Sequence, residues 1–144
     1  FKALEPLRAT RHLGPILFQL PPNLKVDLDQ LAAFLAKLPE DIRTTFEFRN
    51  QTWLVDEVYR LLERHRLALC LAESDKLEVP PVITSDFVYA RLRKQEYSAA
   101  ERRAIRERAW EQVALGRDVF VFFKHEDAPE GALYAEELGK EMDR

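Results

Sequence analysis

The chain alternates between short apolar segments and amphipathic segments, and this order limits the folds open to it. Amphipathic segments with helical spacing of apolar residues separate most of the apolar ones. Apolar runs without polar alternation are typical of parallel strands covered by helices. The pattern therefore predicts an α/β fold with a parallel sheet, with strands at residues 16–19, 44–48, 67–71, 87–92 and 119–123.

Local signals predict where the helices begin and end. Asp27 is placed to cap a first helix, and Thr52 to cap a second one. Ser98, with a glutamate three residues later, forms a capping-box pattern that predicts the start of the longest helix, which we expect to end at Gly116. Pro129 favours the first turn of a final helix.

No helix of ordinary length is predicted between the third and fourth strands. Residues 73–81 are polar and end in two prolines, so we expect a long loop there. Because this loop would follow a strand, it is a candidate lid.

Length and charge restrict the class of protein. With 144 residues and 47% hydrophobic residues, the chain is long enough for one domain with its own core, and we predict a single domain over residues 1–144. The net charge of −3 excludes binding to duplex nucleic acid through overall positive charge, although a local basic groove remains possible. No apolar stretch approaches the length of a membrane-spanning helix, so no membrane partner is predicted.

The single cysteine bears on the compartment. Cys70 lies within an apolar run, where it is predicted to be a small buried residue rather than a redox or zinc-binding one. Cysteine usage of this kind favours a reducing compartment, and we expect a cytoplasmic protein.

Two architectures suit alternating parallel strands and helices: an open doubly wound sheet and a closed (β/α)8 barrel. Only four glycines occur, and no glycine-rich phosphate loop follows a strand, which disfavours the nucleotide-binding open sheet. We therefore expect a TIM-type barrel, of which five strands are present. Since the chain opens on Phe1 in what resembles the end of a helix, we expect a fragment whose exposed strand edges favour self-association.

One strand carries charge. Glu47 and Arg49 are two residues apart, so both side chains would point to one face of an extended strand. Burying such charges costs several kcal/mol per ion, roughly, unless they are paired or solvated. One interpretation is a structural ion pair. The other is a polar site in which Glu47 acts as general base, metal ligand or hydrogen-bond acceptor and Arg49 binds an anionic oxygen.

Four segments together resemble the DUF72 family, also called YecE-like proteins. They are residues 13–22, the Phe-Glu-Phe-Arg segment 46–49 followed by Trp53, residues 84–92, and residues 120–123 leading into Gly131. The resemblance spans almost the whole chain and implies a TIM-type barrel, with these segments similar to strands four to eight. It implies no settled activity, because the family has none. This chain has Arg93-Lys94 where many members have His-Gly, and Lys124-His125 where many have two asparagines.

In a TIM-type barrel the active site lies at the carboxyl ends of the strands, which selects a set of candidate residues. We predict Glu47, Arg49 and Arg91 as catalytic residues. Several candidates are basic, which suits a small anionic ligand carrying phosphate or carboxylate. The predicted substrate-binding residues are Gln19, Trp53, Tyr89, Arg93, Lys124 and His125.

Two of these residues have a competing structural interpretation. Tyr89 and Arg91 share the two-residue spacing, so both would face the barrel interior, where Tyr89 either donates a hydrogen bond or fills a core layer. In the second case Arg91 would pair with Glu47. Trp53 either stacks on a base or sugar, as in single-strand binders, or anchors a helix in the core.

Three functions are compatible with this pattern. The first is a barrel enzyme acting on a phosphorylated or carboxylated substrate. The second is a metal-assisted phosphodiesterase acting on nucleic acid, with Glu47 and His125 as ligands, although adjacent loop residues diverge and we assign no metal site. The third is a non-catalytic barrel that binds a metabolite or partner. No cofactor is indicated.

Overall fold

A computed structural model describes residues 1–74, 77–94, 96–123 and 129–142. The strands are β1 (Ile16–Gln19), β2 (Thr44–Glu47), β3 (Ala68–Ser74), β4 (Leu77–Glu78), β5 (Phe87–Leu92) and β6 (Asp118–Phe123). The helices are α1 (Glu5–Ala9), α2 (Leu28–Leu35), α3 (Asp56–Arg64), α4 (Ala99–Ala114) and α5 (Glu130–Met142).

Five strands form one parallel sheet in the order β1-β2-β3-β5-β6, and the short β4 pairs antiparallel with β3. The predicted α/β class and parallel pairing are confirmed. In the strand register, Gln19 lies opposite Glu47, and Arg91 lies between Ala72 on β3 and Phe122 on β6. Because the strands are parallel, their carboxyl ends meet at one edge of the sheet.

A hydrophobic core lies between the sheet and helices α2 and α3. Leu31 and Leu35 of α2, with Val58 and Leu62 of α3, are all buried in this cluster. The sheet side contributes a series of aromatic rings, in which Phe18 stacks on Phe46, Phe46 on Phe48, and Phe48 on Trp53. We call this side of the sheet the helix-covered face.

The opposite side of the sheet, here called the inner face, has its own apolar cluster. Cys70, Phe87 and Tyr89 are buried there, and Leu17 and Phe120 are packed against them. Side chains alternate between the two faces along each strand, so residues two positions beyond these continue the inner face toward the carboxyl edge. Arg91 lies there because it is two residues beyond Tyr89. Glu47 lies there because it is the register partner of Gln19, which is two residues beyond Leu17.

At the opposite end of the strands, an ion pair joins Arg43, the residue before β2, to Asp118, the first residue of β6. Arg43 Nη1 lies 2.6 Å from Asp118 Oδ2, and the Arg43 guanidinium also lies 5.5 Å from the centre of the Phe87 ring. Strands β2 and β6 are not neighbours in the described sheet. The pair therefore ties together the amino-terminal ends of distant strands.

Most predicted helix ends are confirmed. The Asp27 side chain accepts a hydrogen bond from the Gln30 N–H, and Ser98 and Glu101 form the complete capping box of α4. Gly116 follows α4 with a positive φ of 79°, which glycine adopts without strain.

The predicted capping role of Thr52 is wrong. The second of these helices, α3, begins only at Asp56, and Thr52 lies in a 3-10 turn, Gln51–Trp53. Asn50 caps that turn instead, because its side-chain oxygen accepts from both the Thr52 N–H and the Thr52 hydroxyl. Thr52 Oγ1 in turn accepts from the Val26 N–H at 3.0 Å.

The segment after β3 is more structured than predicted. β4 returns antiparallel to the end of β3, and Val79 and Val82 pack against the core on the helix-covered face. Thr84 is buried, donates to the Leu67 carbonyl and accepts from the Leu69 N–H. The described part of this segment is thus held against the sheet, which corrects the expectation of a free lid; residues 75–76 lie outside the described residues.

Within the described ranges, no helix combines the length and the apolar character needed to cross a bilayer.

Cys70 gives a direct test of the inner-face packing. Burial raises the pKa of its thiol from 9.0 to about 12, and the Glu47 carboxylate acts in the same direction. Because only the thiolate reacts, we expect thiol reagents at pH 8 to label the native protein about 1000-fold more slowly than the protein unfolded in urea. Fast stoichiometric labelling of the native protein would contradict this packing.

The same shift predicts a pH dependence of stability. The folded state favours the neutral thiol, so this contribution is fully present below pH 9 and is lost as the pH rises from 9 toward 12. We expect the free energy of unfolding, measured by urea titration, to fall over that range. A Cys70→Ala variant, which has no thiol to ionise, serves as the control and should show a smaller fall.

Candidate anion-binding site at the carboxyl ends of the strands

Charged side chains from several strands meet at the carboxyl edge of the inner face. Gln19 ends β1, Glu47 ends β2, and Arg91 lies near the end of β5. Arg93 follows two residues after Arg91, just beyond the strand. In α/β proteins with parallel strands, ligands bind at this edge of the sheet.

Glu47 is the centre of the cluster. Its side chain is 1% exposed, although it carries a carboxylate. Arg91 Nη1 donates to Oε2, while Arg93 Nη2 donates to Oε1 at 2.8 Å. Gln19 Nε2 also approaches Oε1 at 3.4 Å. A buried carboxylate is tolerated when it is paired in this way.

The two arginine hydrogen bonds determine the chemical role that the Glu47 carboxylate can have. Each of its oxygens accepts a charge-assisted hydrogen bond from a different arginine, and such bonds are short and directional. The carboxylate therefore fixes the positions of two guanidinium groups relative to each other. This geometry suits an orienting role for Glu47 better than the abstraction of a proton from a substrate, because the carboxylate oxygens are already engaged.

The two arginines retain unused donors. Arg93 Nε is buried, and no acceptor for it exists among the residues that the structure describes. Arg91 donates to Glu47 through a single nitrogen. Two positive charges face one negative charge in this group, and the guanidinium fork matches carboxylate and phosphate oxygens. The cluster therefore has both the charge and the donors to bind an anion.

A second network holds the chain segment that carries Arg93. The buried Tyr97 donates its hydroxyl proton to Glu73 Oε2 and accepts from the Lys94 N–H at 3.0 Å. The backbone N–H of Arg93 also points to Glu73 Oε2, at 3.4 Å. Burial, and then the hydrogen bond to Glu73, raise the pKa of Tyr97, so it remains a donor. This network ties the link between β5 and α4 to the end of β3.

The structural interpretation of Glu47 and Arg49, an ion pair between them, is not found among the described residues. Strand β2 ends at Glu47, and the chain then turns toward Asn50, so the two-residue alternation of a strand does not extend to Arg49. Arg49 is exposed, whereas Glu47 is buried. The ionic partners of Glu47 are Arg91 on β5, as the structural interpretation of Arg91 anticipated, and Arg93 just beyond β5.

Trp53 also differs from its predicted binding role. Its ring is 3% exposed and stacks on Phe48 with the centroids 5.0 Å apart, and its Nε1 donates to the Leu24 carbonyl. A ring covered in this way does not offer a face to a base or sugar, so Trp53 is a core residue. Tyr89 is buried as well, and packs beside Phe120 and Phe122 at the inner face.

Other predicted residues are not placed by the structure. Lys124 and His125 lie outside the described residues. Among the described residues, no group of three or more His, Cys, Asp or Glu side chains is arranged to hold a metal ion. Tyr97 was missed by sequence reasoning, since a single tyrosine before a helix cap carries no signal of its contact with Glu73.

The fold and this edge define the class of protein: an α/β protein whose parallel sheet carries a charged site at the carboxyl ends of its strands. The chain belongs to the DUF72 family, a family described as proteins of unknown function, whose model matches residues 1–144. The resemblance drawn from the sequence is thereby confirmed.

Solved structures of this family share the fold. A DUF72 family protein from Thermotoga maritima is 22% identical with a TM-score of 0.86, and the match covers 99% of this chain and 63% of that one. A DUF72 family protein from Enterococcus faecalis is 15% identical with a TM-score of 0.79, over 99% of this chain and 66% of that one. The chain thus spans just under two thirds of these relatives. The sequence matches none of the curated proteins with which it was compared.

Replacing Glu47 tests its role in the cluster. Glu47→Gln leaves two partly buried guanidinium groups without a counter-charge, and we expect a loss of about 3 kcal/mol in the free energy of unfolding, measured by urea titration. Arg49→Gln, two residues away and exposed, is the matched control and should change stability by less than about 0.5 kcal/mol. An equal loss of unfolding free energy in the two variants would refute the role of Glu47 as the counter-charge of the two arginines.

Proposed function

We propose that the carboxyl edge of the sheet binds the anionic group of a small substrate, a phosphate or a carboxylate, and that the protein is an enzyme acting on that substrate. The observation that carries the proposal is the buried Glu47 carboxylate held between Arg91 and Arg93. Two cations arranged around one buried anion, with a buried donor left over on Arg93, form a site that an incoming anion would complete.

The proposal includes the wider architecture. The sheet corresponds to about strands four to eight of a (β/α)8 barrel, and the site would then lie at the mouth of that barrel, where such enzymes act. The five-strand parallel sheet of the described residues is compatible with this arrangement. The inner face described here would be the barrel interior.

Each residue has a role in the proposal. Arg91 and Arg93 bind the anion and stabilise negative charge that develops in the transition state, as preorganised donors do in other enzymes. Glu47 positions both arginines, and Gln19 lies beside its Oε1 at the entrance. Lys124 and His125 follow β6 in the sequence, and we propose them as further substrate-binding residues at the same edge. The reaction class is hydrolysis or isomerisation.

A binding protein without turnover is the second candidate. It is favoured by one observation: both oxygens of Glu47 are already bonded to arginines, so Glu47 does not supply a free general base. Under this alternative, the ligand stabilises the fold without being converted. Incubation of ligand with protein, followed by analysis for product, separates the two candidates.

Inorganic phosphate is the first probe of the site. We expect calorimetry to show binding that Arg93→Gln weakens about tenfold, since charge-assisted hydrogen bonds to an anion contribute roughly 1.5–3 kcal/mol. Arg49→Gln is the control, because it removes one positive charge from an exposed position outside the cluster. An equal loss of phosphate affinity in both variants would show only a general charge effect and would contradict the assignment of the site to Arg91 and Arg93.

A further inference from the structure

An aromatic surface lies beside the arginine cluster on the inner face. Tyr89 and Phe122 are in contact, with ring centroids 4.9 Å apart and planes tilted by 32°. Tyr89 is 7% exposed, whereas Phe122 is 46% exposed. Tyr89 is thus held within the packing of the inner face, whereas much of the Phe122 ring is uncovered.

Strand pairing sets the position of that ring relative to the charges. Arg91 and Phe122 are partners in the β5–β6 register, as are Tyr89 and Phe120. Adjacent strands lie about 4.8 Å apart, and paired residues point to the same face. The Phe122 ring therefore neighbours Arg91, whose guanidinium reaches toward Glu47.

Phe122 lies on β6, at the edge of the described sheet, and is more exposed than the Tyr89 ring that it contacts. Its neighbours Tyr89 and Phe87 along the inner face are almost fully buried. Ligand sites combine an apolar and aromatic lining with a few placed polar groups that orient the ligand, and Phe122 beside Arg91 in the strand register has that arrangement. Aromatic rings also favour one another beyond the area that they bury.

We infer that the ligand of this site is an aromatic anion, in which a phosphate or carboxylate is joined directly or through a short linker to a planar ring. The anionic group binds Arg91 and Arg93, and the ring packs against Phe122. This inference rests on the proposed function, because it assigns the anionic end to the same arginines. It adds that the site selects the group attached to the anion.

Three phosphates separate the contributions of charge, apolar area and ring. They are inorganic phosphate, cyclohexyl phosphate and phenyl phosphate, compared by calorimetry at a pH where all are dianions. We expect phenyl phosphate to bind about tenfold more tightly than inorganic phosphate, with cyclohexyl phosphate between them. In Phe122→Leu, phenyl phosphate should lose its advantage over cyclohexyl phosphate, while the affinity for inorganic phosphate stays the same.

A matched control and a conservative variant guard the result against effects on folding. Phe34 on α2 is 40% exposed, close to the exposure of Phe122, and lies on the helix-covered side. Phe34→Leu should leave all three affinities unchanged. Phe122→Tyr keeps the ring, and should keep the preference for phenyl phosphate even if Phe122→Leu does not fold.

The outcomes distinguish this inference from the proposed function. If Arg93→Gln weakens all three phosphates but the native protein binds them equally well, the aromatic preference is refuted and the anion site stands. If phenyl phosphate binds best but Phe122→Leu, folded, keeps that preference, the ring is bound elsewhere and the inference also fails. If inorganic phosphate does not bind, or Arg93→Gln leaves the phosphate affinity unchanged, the proposed anion site is refuted, and the inference that rests on it is refuted as well.

Discussion

The buried carboxylate of Glu47 is the constraint on which the rest of the site depends. A carboxylate that is 1% exposed needs opposite charge and hydrogen bonds at both oxygens. Arg91 on β5 and Arg93 just beyond it meet this need from across β3, and Gln19 approaches from β1 on the other side. One side chain thus organises polar groups from β1, from β5 and from the segment that follows β5, and the positions of the two arginines follow from it.

The packing of the sheet explains why Glu47 can act in this way. Aromatic stacking on the helix-covered face fixes β2, since Phe46 and Phe48 flank Glu47 and are both buried. On the inner face, Cys70 and Tyr89 fill the layer below the charges. The bond between Tyr97 and Glu73 then holds the segment that carries Arg93. Two apolar layers and one hydrogen-bond network therefore preorganise the cluster before any ligand arrives.

Sequence reasoning predicted the sheet well and the site only in part. Continuous apolar runs predicted the five parallel strands, and the bounds of β1 and β5 agree with the structure. Arg91 was selected by its two-residue spacing from Tyr89. The expectation that Arg49 shares a strand face with Glu47 fails because β2 ends at Glu47 and the Asn50 turn follows. The Glu47–Arg93 pair joins residues 46 positions apart, and local patterns carry no direct signal of such contacts.

A crystal structure of the protein grown with phosphate would test the central claim most directly. The account predicts the Glu47 carboxylate between the guanidinium groups of Arg91 and Arg93, and a phosphate within hydrogen-bond distance of both arginines on the side facing Phe122. A structure in which Arg91 and Arg93 point away from Glu47, with phosphate bound elsewhere or not at all, would contradict it.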